Sequence, residues 1–208
     1  MTDAHTEEAL LTRLVGFAVG KDEAGALARY LLARFGSLAS VLDADTQALN
    51  SAKGMSRSLL TLLKLIPGLT RKCALLENDP KAQLKSTQEM ERYLRPYFIG
   101  CVAEEIYVLM LDKNGCPLCC QRVNDGDTHR VRLPQRRLME QVMYCNAAQV
   151  VLAHNHPSGI ALPSREDVGT TLRVGRMLGY IGVSLRDHLI LVEDDFVSLR
   201  DSGILTSL

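Results

Sequence analysis

Apolar positions recur at helical spacing over the first third of the chain. Leu10, Leu11, Leu14, Phe17 and Ala18 share one face of a helix that Gly20 would end. A second helix is expected from about Asp22 through Leu27, Tyr30, Leu31 and Leu32 to Phe35, closed by Gly36. Ser37 suits the cap of a short third helix, and Asp43 to Thr46 offers a further start. The run KGMSRSLLTLLKLIPGL predicts a longer helix that stops before Pro67-Gly68, because a residue before proline is pushed out of helical geometry. Residues 1–75 thus read as a small all-helical module. The pattern turns polar around Pro80, and residues 76–87 are expected to form a linker.

Beyond Gln88 the period changes. Met90 to Tyr97 predicts a helix. Ile106 to Asp112 is a continuous apolar run, as in a strand covered on both faces. Lys113-Asn114-Gly115 reads as a hairpin turn into a second strand around Cys116 to Arg122. NDGD (124–127) is a further turn, and THRVRL (128–133) alternates like a half-exposed strand. Leu138 to Tyr144 predicts a helix, AQVVLAH a buried strand, and Asp167 to Leu178 another helix. VSLRDHLILV is then a strand pair or one long strand. Interleaved strands and helices make residues 88–208 an α/β or α+β domain.

Composition narrows the class without deciding the function. Of 208 residues, 47% are hydrophobic and 23% charged, as in an ordinary globular protein. Lys+Arg and Asp+Glu both number 24, which argues against strong overall attraction to nucleic acid or membrane. No apolar run reaches the ~18 residues of a membrane-spanning helix, and the acidic start MTDAHTEEALLTRL lacks the basic opening and apolar core of a signal peptide. The expectation is a cytoplasmic protein, with no membrane partner and six mostly reduced cysteines.

The segment VVLAHNHPSGIALPSREDV (150–168) carries the chemistry. Residues two apart on an extended chain point the same way, and His156 precedes Pro157, which favours extended geometry. The imidazoles of His154 and His156 should therefore converge at one strand end. Asp167, eleven residues beyond His156, opens the next helix, and the Gly/Pro turn between can return its carboxylate to the same point. Two neutral imidazoles and a carboxylate are a zinc donor set that leaves the fourth position for water, as in catalytic sites. Ser164 and Asp167 also have the spacing of a helix capping box.

His154-x-His156, seven residues, Ser164, two residues and Asp167 match the JAMM motif of the JAB/MPN metallopeptidases. LAHNHPSG, PSREDV, RDHLILV and the upstream EEIYVLMLDKNG resemble the RadC branch, and LLARFGSLASVL is similar to its leading domain. The resemblance spans most of the chain and implies a JAB/MPN-type domain after a helical module. It implies one zinc per chain, held by His154, His156 and Asp167 with water fourth. A carboxylate just before the first strand would act as base; alignment to the position eight residues before Asp112 selects Glu104, with Glu105 the runner-up. Ser164 would donate to the oxyanion, or else cap the helix. The implied activity is zinc-dependent hydrolysis of a peptide or isopeptide bond. The alternative is a non-catalytic or nuclease-like factor associated with DNA repair.

Three further features bear on that resemblance. Leu133 stands in RLPQRRL where the family's VHPRE stretch has its histidine, which touches substrate contacts and not the metal set. The family's leading module often carries a helix-hairpin-helix whose Gly-x-Gly presents amides to a DNA phosphate; here KGMSRS keeps Gly54 and has Ser56 in second place. Residues 1–75 hold nine Lys/Arg against seven Asp/Glu, so DNA association is expected to be weak. Cys116, Cys119 and Cys120 lack a matching ligand pair nearby and read as strand cysteines, with Cys101 and Cys145 isolated. His188 is expected to be buried and hydrogen-bonded near the site, where it can support a ligand. Arg136 and Arg137 read as a solvated helix face.

Overall fold

The computed structural model describes residues 3–101, 103–123, 134–192 and 195–205. Two compact units divide the chain, Met1–Cys73 and Ala74–Leu208. The first is built from α1 (Asp3–Gly16), α2 (Lys21–Phe35), α3 (Leu38–Asp43), α4 (Thr46–Asn50) and α5 (Arg57–Leu76) as far as Cys73. Side-chain caps set the short helices. Ser37 Oγ accepts from Ser40 N, Asp45 from Gln47 N and Ala48 N, and Ser56 Oγ from Leu59 N. Lys64 Nζ donates to the Leu42 and Ala44 carbonyls at the end of α3. Leu11, Val15, Leu31, Val41, Leu49, Leu59 and Leu63 are fully buried in one core, each worth roughly 1.5–3 kcal/mol. Of the face expected on the first helix, Leu11 is buried and Leu14 and Ala18 pack on the same core, joined by Val15, whereas Leu10 is 48% exposed and Phe17, just past the end of α1, 87%.

The helix expected to stop before Pro67 does not stop. α5 continues to Leu76 with Pro67 inside it. Proline removes one helical hydrogen bond and crowds the preceding turn, at a cost of ~3 kcal/mol. The following Leu69, Arg71, Lys72, Ala74 and Leu75 favour helix, and continuing avoids a costly new nucleus.

The second unit is a three-layer α+β domain. Its five-stranded sheet has the order β2 (Pro117–Arg122), β1 (Ile106–Leu111), β3 (Gln149–Asn155), β4 (Ser184–Leu191), β5 (Phe196–Ser198). Only β3 and β4 are parallel, and α8 (Arg165–Tyr180) is the crossover between them. One face of the sheet, through Val108, Met110, Val150, Leu152 and Ile190, packs on Leu138 and Val142 of α7 (Gln135–Tyr144) and Val174 and Leu178 of α8. The other, through Leu109, Leu111, Val151, Ala153, Leu189 and Leu191, packs on Met90 and Leu94 of α6 (Thr87–Leu94). Burial of β1 on both faces explains its unbroken apolar run. A capping box of Ser86 and Glu89 opens α6, and a 3-10 turn (Arg95–Phe98) follows it. Leu84, within the segment expected to be a linker, is 4% exposed, and its N–H donates to Gly115 O. Gly115 has φ +82°, and a Cβ there would come within 2.9 Å of Arg186 and 3.3 Å of the Leu84 carbonyl, so the β1–β2 turn needs glycine.

VSLRDHLILV forms one strand, β4, with an irregularity: Val150 pairs with Leu185 and Val151 with Asp187. The extra residue, Arg186, is a bulge that reverses the facing of everything after it. The short β5 was not legible in the hydrophobic pattern. The expected turn at 124–127, the strand at 128–133 and Leu133 lie outside the described residues.

Candidate metal centre

Val150 and Leu152 of β3 face α7 and α8, so His154, two residues on, faces the same way and is 1% exposed. His156 follows the strand end, and its N–H donates to Leu191 O of β4 at 3.0 Å. The turn after it passes through Gly159, at φ +76°. That turn brings Ile160 O to 2.8 Å from His156 Nδ1. A carbonyl can only accept, so Nδ1 carries the proton and Nε2 faces the cluster.

The chain then enters α8. Ser164 and Asp167 form a reciprocal capping box: Ser164 Oγ accepts from Asp167 N at 3.1 Å, and Asp167 Oδ2 from Ser164 N at 2.7 Å. The box fixes the carboxylate with its oxygens toward the imidazoles. His154 Nε2 lies 2.8 Å from His156 Nε2 and 3.3 Å from Asp167 Oδ1; His156 Nε2 lies 3.7 Å from Asp167 Oδ2.

Glu104 arrives from the other side. The pairing of Ile106 with His154 sets the start of β1 beside the end of β3. Asn155 alternates away from the two histidines, accepts from Glu105 N at 2.7 Å and donates to Ala103 O at 3.0 Å. Its amide therefore clamps the backbone on both sides of Glu104, whose Oε1 lies 4.0 Å from His154 Nε2. Glu105 goes elsewhere: it pairs with Arg122 of β2 at 2.9 Å and accepts from Tyr107 Oη at 3.2 Å. Ligand atoms of Glu104, His154, His156 and Asp167 all lie within 4.8 Å of one another.

A model of the RadC-like JAB domain matches residues 84–204, the unit that holds this cluster. The chain belongs to the RadC-like JAB domain family. It is 32% identical over 189 residues to a UPF0758 protein of Cupriavidus pinatubonensis, covering 90% of this chain and 82% of that relative. It is 29% identical over 205 residues to a UPF0758 protein of Coxiella burnetii, covering 98% and 92%. A UPF0758 protein of Cupriavidus necator is 31% identical over 198 residues, covering 95% and 87%.

Electrostatics at the two buried histidines of this RadC-like domain favour lone pairs over protons. Burial pushes His154 down to about 4; the Asp167 carboxylate opposes that, and His156 adds to it. Burial also holds His188 well below the ordinary histidine range, with His154 and His156 acting the same way. Both rings are neutral at pH 7, the state a metal needs. Partial burial and then the Asp167 carboxylate raise Glu104, while His156 pulls it back.

The donor set suits a zinc-class cation. Donors about 2.0–2.1 Å from a tetrahedral zinc stand roughly 3.3 Å apart; His156 Nε2 and Asp167 Oδ1 lie 2.8 and 3.3 Å from His154 Nε2, and the other Asp167 oxygen lies 3.7 Å from His156 Nε2. Glu104 stands farther out and is half exposed. Among the described residues no cysteine joins such a group. Cys119 and Cys120 lie on β2 as expected of strand residues, and all six cysteines are free thiols. Cys145, isolated in sequence, packs with Cys119 against the same core. Arg136 pairs with Glu140 on the exposed face of α7.

Two residues that hold the site went unread in the sequence, Asn155 and Thr171. Asn155 had a signal: lying between two histidines that share a face, it must point to the opposite face of the strand end. Thr171 had none beyond lying one helical turn after Asp167.

Proposed function

We propose that this RadC-like protein is a zinc-dependent hydrolase of peptide or isopeptide bonds. The observation that carries the reading is the spacing: two imidazoles and a carboxylate close enough to share one metal ion, and a second carboxylate held farther out, 4.0 Å from His154. A bound zinc would supply Lewis acidity, lowering the pKa of a water in the fourth position toward about 7.

The protein's own groups do the rest. His154, His156 and Asp167 hold the metal. Glu104 takes a proton from the attacking water as its oxygen bonds to the carbonyl carbon. As the C–N bond breaks, Glu104 passes that proton to the leaving amine. The second water proton is lost from the new carboxylic acid to solvent. Ser164 accepts the Asp167 amide on its oxygen, which leaves its hydroxyl proton to meet the developing oxyanion. The Asn155 clamp keeps the Glu104 backbone in register with His154. A cytoplasmic setting, where six free cysteines stay reduced, suits this chemistry.

The test is a screen of the zinc-loaded full chain on peptides, lysine-linked isopeptides and oligonucleotides, with and without chelator. Amide cleavage that stops with chelator is expected. Glu104→Gln should cut it about 10²–10⁴-fold while the metal stays bound. Glu105→Gln should change the rate little, because that side chain is spent on Arg122 and Tyr107. Cleavage of oligonucleotides alone would establish the nuclease reading. No cleavage of any class would establish the binding-factor reading.

A further inference from the structure

The two histidines of the cluster are held differently. His156 is fixed by its own turn, through Ile160 O. His154 is fixed through two more residues. Its Nδ1 lies 2.8 Å from His188 Nε2; His188 Nδ1 lies 2.5 Å from Thr171 Oγ1; and Thr171 Oγ1 lies 2.6 Å from the Asp167 carbonyl oxygen.

The proton directions follow from the end of this chain. The Asp167 carbonyl only accepts, so Thr171 gives it its single hydroxyl proton. Thr171 then offers His188 only lone pairs, so His188 Nδ1 carries the hydrogen. A neutral imidazole has one N–H, which leaves a lone pair on His188 Nε2. His154 must therefore donate from Nδ1, and its Nε2 presents a lone pair to the cluster. Thr171 is 0%, His154 1% and His188 2% exposed, so no water competes for these positions. The other His154 tautomer would set two lone pairs against each other at its Nδ1, deep in the core where no cation can sit between them, whereas the same opposition at Nε2 falls on the candidate metal position.

The bulge at Arg186 makes the contact possible. Leu185 packs in the α7–α8 layer, and His188, three residues on, would face the opposite layer in a regular strand. The extra residue turns His188 toward Thr171 and His154. A carboxylate or carbonyl usually takes the outer N–H of a metal-ligating histidine. Here the acceptor is a second imidazole, which has a tautomer of its own to fix, and Thr171 fixes it.

We propose that His188 and Thr171 are positioning residues that lock His154 in its Nδ1–H tautomer and tie it to the turn of α8 that carries Asp167. The inference rests on the zinc reading of the same site. It makes the His154 and His156 Nε2 lone pairs oppose each other at 2.8 Å, a repulsion that a cation between them removes.

Two measurements on the full chain test it. The first is the tautomer of His154 in the metal-free protein, read from two-bond nitrogen–proton correlations. The wild type should show Nδ1–H at His154. Thr171→Val, which keeps the volume and removes the hydroxyl, should give a mixture at His154 with His156 unchanged. The second is zinc affinity by competition with a chromophoric chelator. Thr171→Val should weaken it about 10–100-fold, and Thr171→Ser should restore it. An Nε2–H His154 in the wild type overturns the proposal, as does a Val variant with wild-type tautomer and affinity. If the wild type binds no zinc, the zinc reading fails, and the tautomer alone judges the relay. If the Val variant does not fold, the wild-type tautomer and the Thr171→Ser affinity decide it.

Discussion

Leu31 and His154 are both almost wholly buried, one in the helical unit and one in the sheet unit, and their surroundings differ in kind. Leu31 sits among Leu11, Val15, Val41, Leu59 and Leu63, all apolar. His154 sits against His156, His188, Asp167 and Glu104. Among the described residues, every buried polar or charged side chain belongs to the second unit: Thr87, His154, Asn155, Thr171, Asp187, His188 and Ser198. Burying such groups costs free energy unless each is hydrogen-bonded. Asp187 shows how the cost is met, accepting from Ser198 Oγ, His188 N and Arg200 N. A core of leucines asks only for shape, whereas a core of imidazoles asks for partners. Four of these seven residues, His154, Asn155, Thr171 and His188, gather at the candidate metal centre.

The sharpest way to break the comparison is to remove the metal donors. The double change His154→Ala with His156→Ala should take zinc content from about one per chain to none, measured by elemental analysis of dialysed protein. Full zinc in that variant, lost instead on changing Cys116 and Cys119, would move the site to β2 and its turn. A smaller effect is expected in the other core. Leu63→Ala should cost about 2–5 kcal/mol in the unfolding of the helical unit, seen by thermal or denaturant melts, with zinc content unchanged. A variant that lost zinc as well would show that the two units depend on each other. The smallest effect concerns DNA. Ser56 Oγ caps α5 where the family motif has glycine, and the module has a surplus of two positive charges. Replacing Lys53 and Arg57 by alanine should leave DNA affinity almost unchanged at physiological salt. A large loss that steepens at low salt would mean the module still grips phosphate.

The helical unit and the sheet were legible in different measure. The strands at Ile106–Leu111 and Gln149–Asn155 stood out because burial on both faces writes an unbroken apolar run. His154, His156 and Asp167 were legible because one strand end and one helix start bring them together over a short stretch. Glu104 could be told from Glu105 only by resemblance; the Arg122 partner that occupies Glu105 lies on another strand. Pro67 misled because a local rule met a long helix that favoured continuing. The Arg186 bulge is silent in the sequence, since the apolar run from Leu189 to Leu191 fills both faces of the sheet and hides the change of register. Without the bulge the facing of His188 cannot be read. The contact between Cys119 and Cys145 joins a strand to the end of a helix and leaves no periodic trace.

The pairing of Ile106 with His154 has a consequence for timing. All three metal donors fall within fourteen consecutive residues, His154 to Asp167, so that part of the site needs only a short loop to close. Glu104 lies fifty residues earlier and comes into place only when β1 zips onto β3. A chain caught midway through folding, or opened locally at β1, has the metal's seat without the proton carrier. Under the proposed hydrolase reading, ability to bind would thus precede ability to cut, because the proton carrier arrives only with the completed β1–β3 pairing.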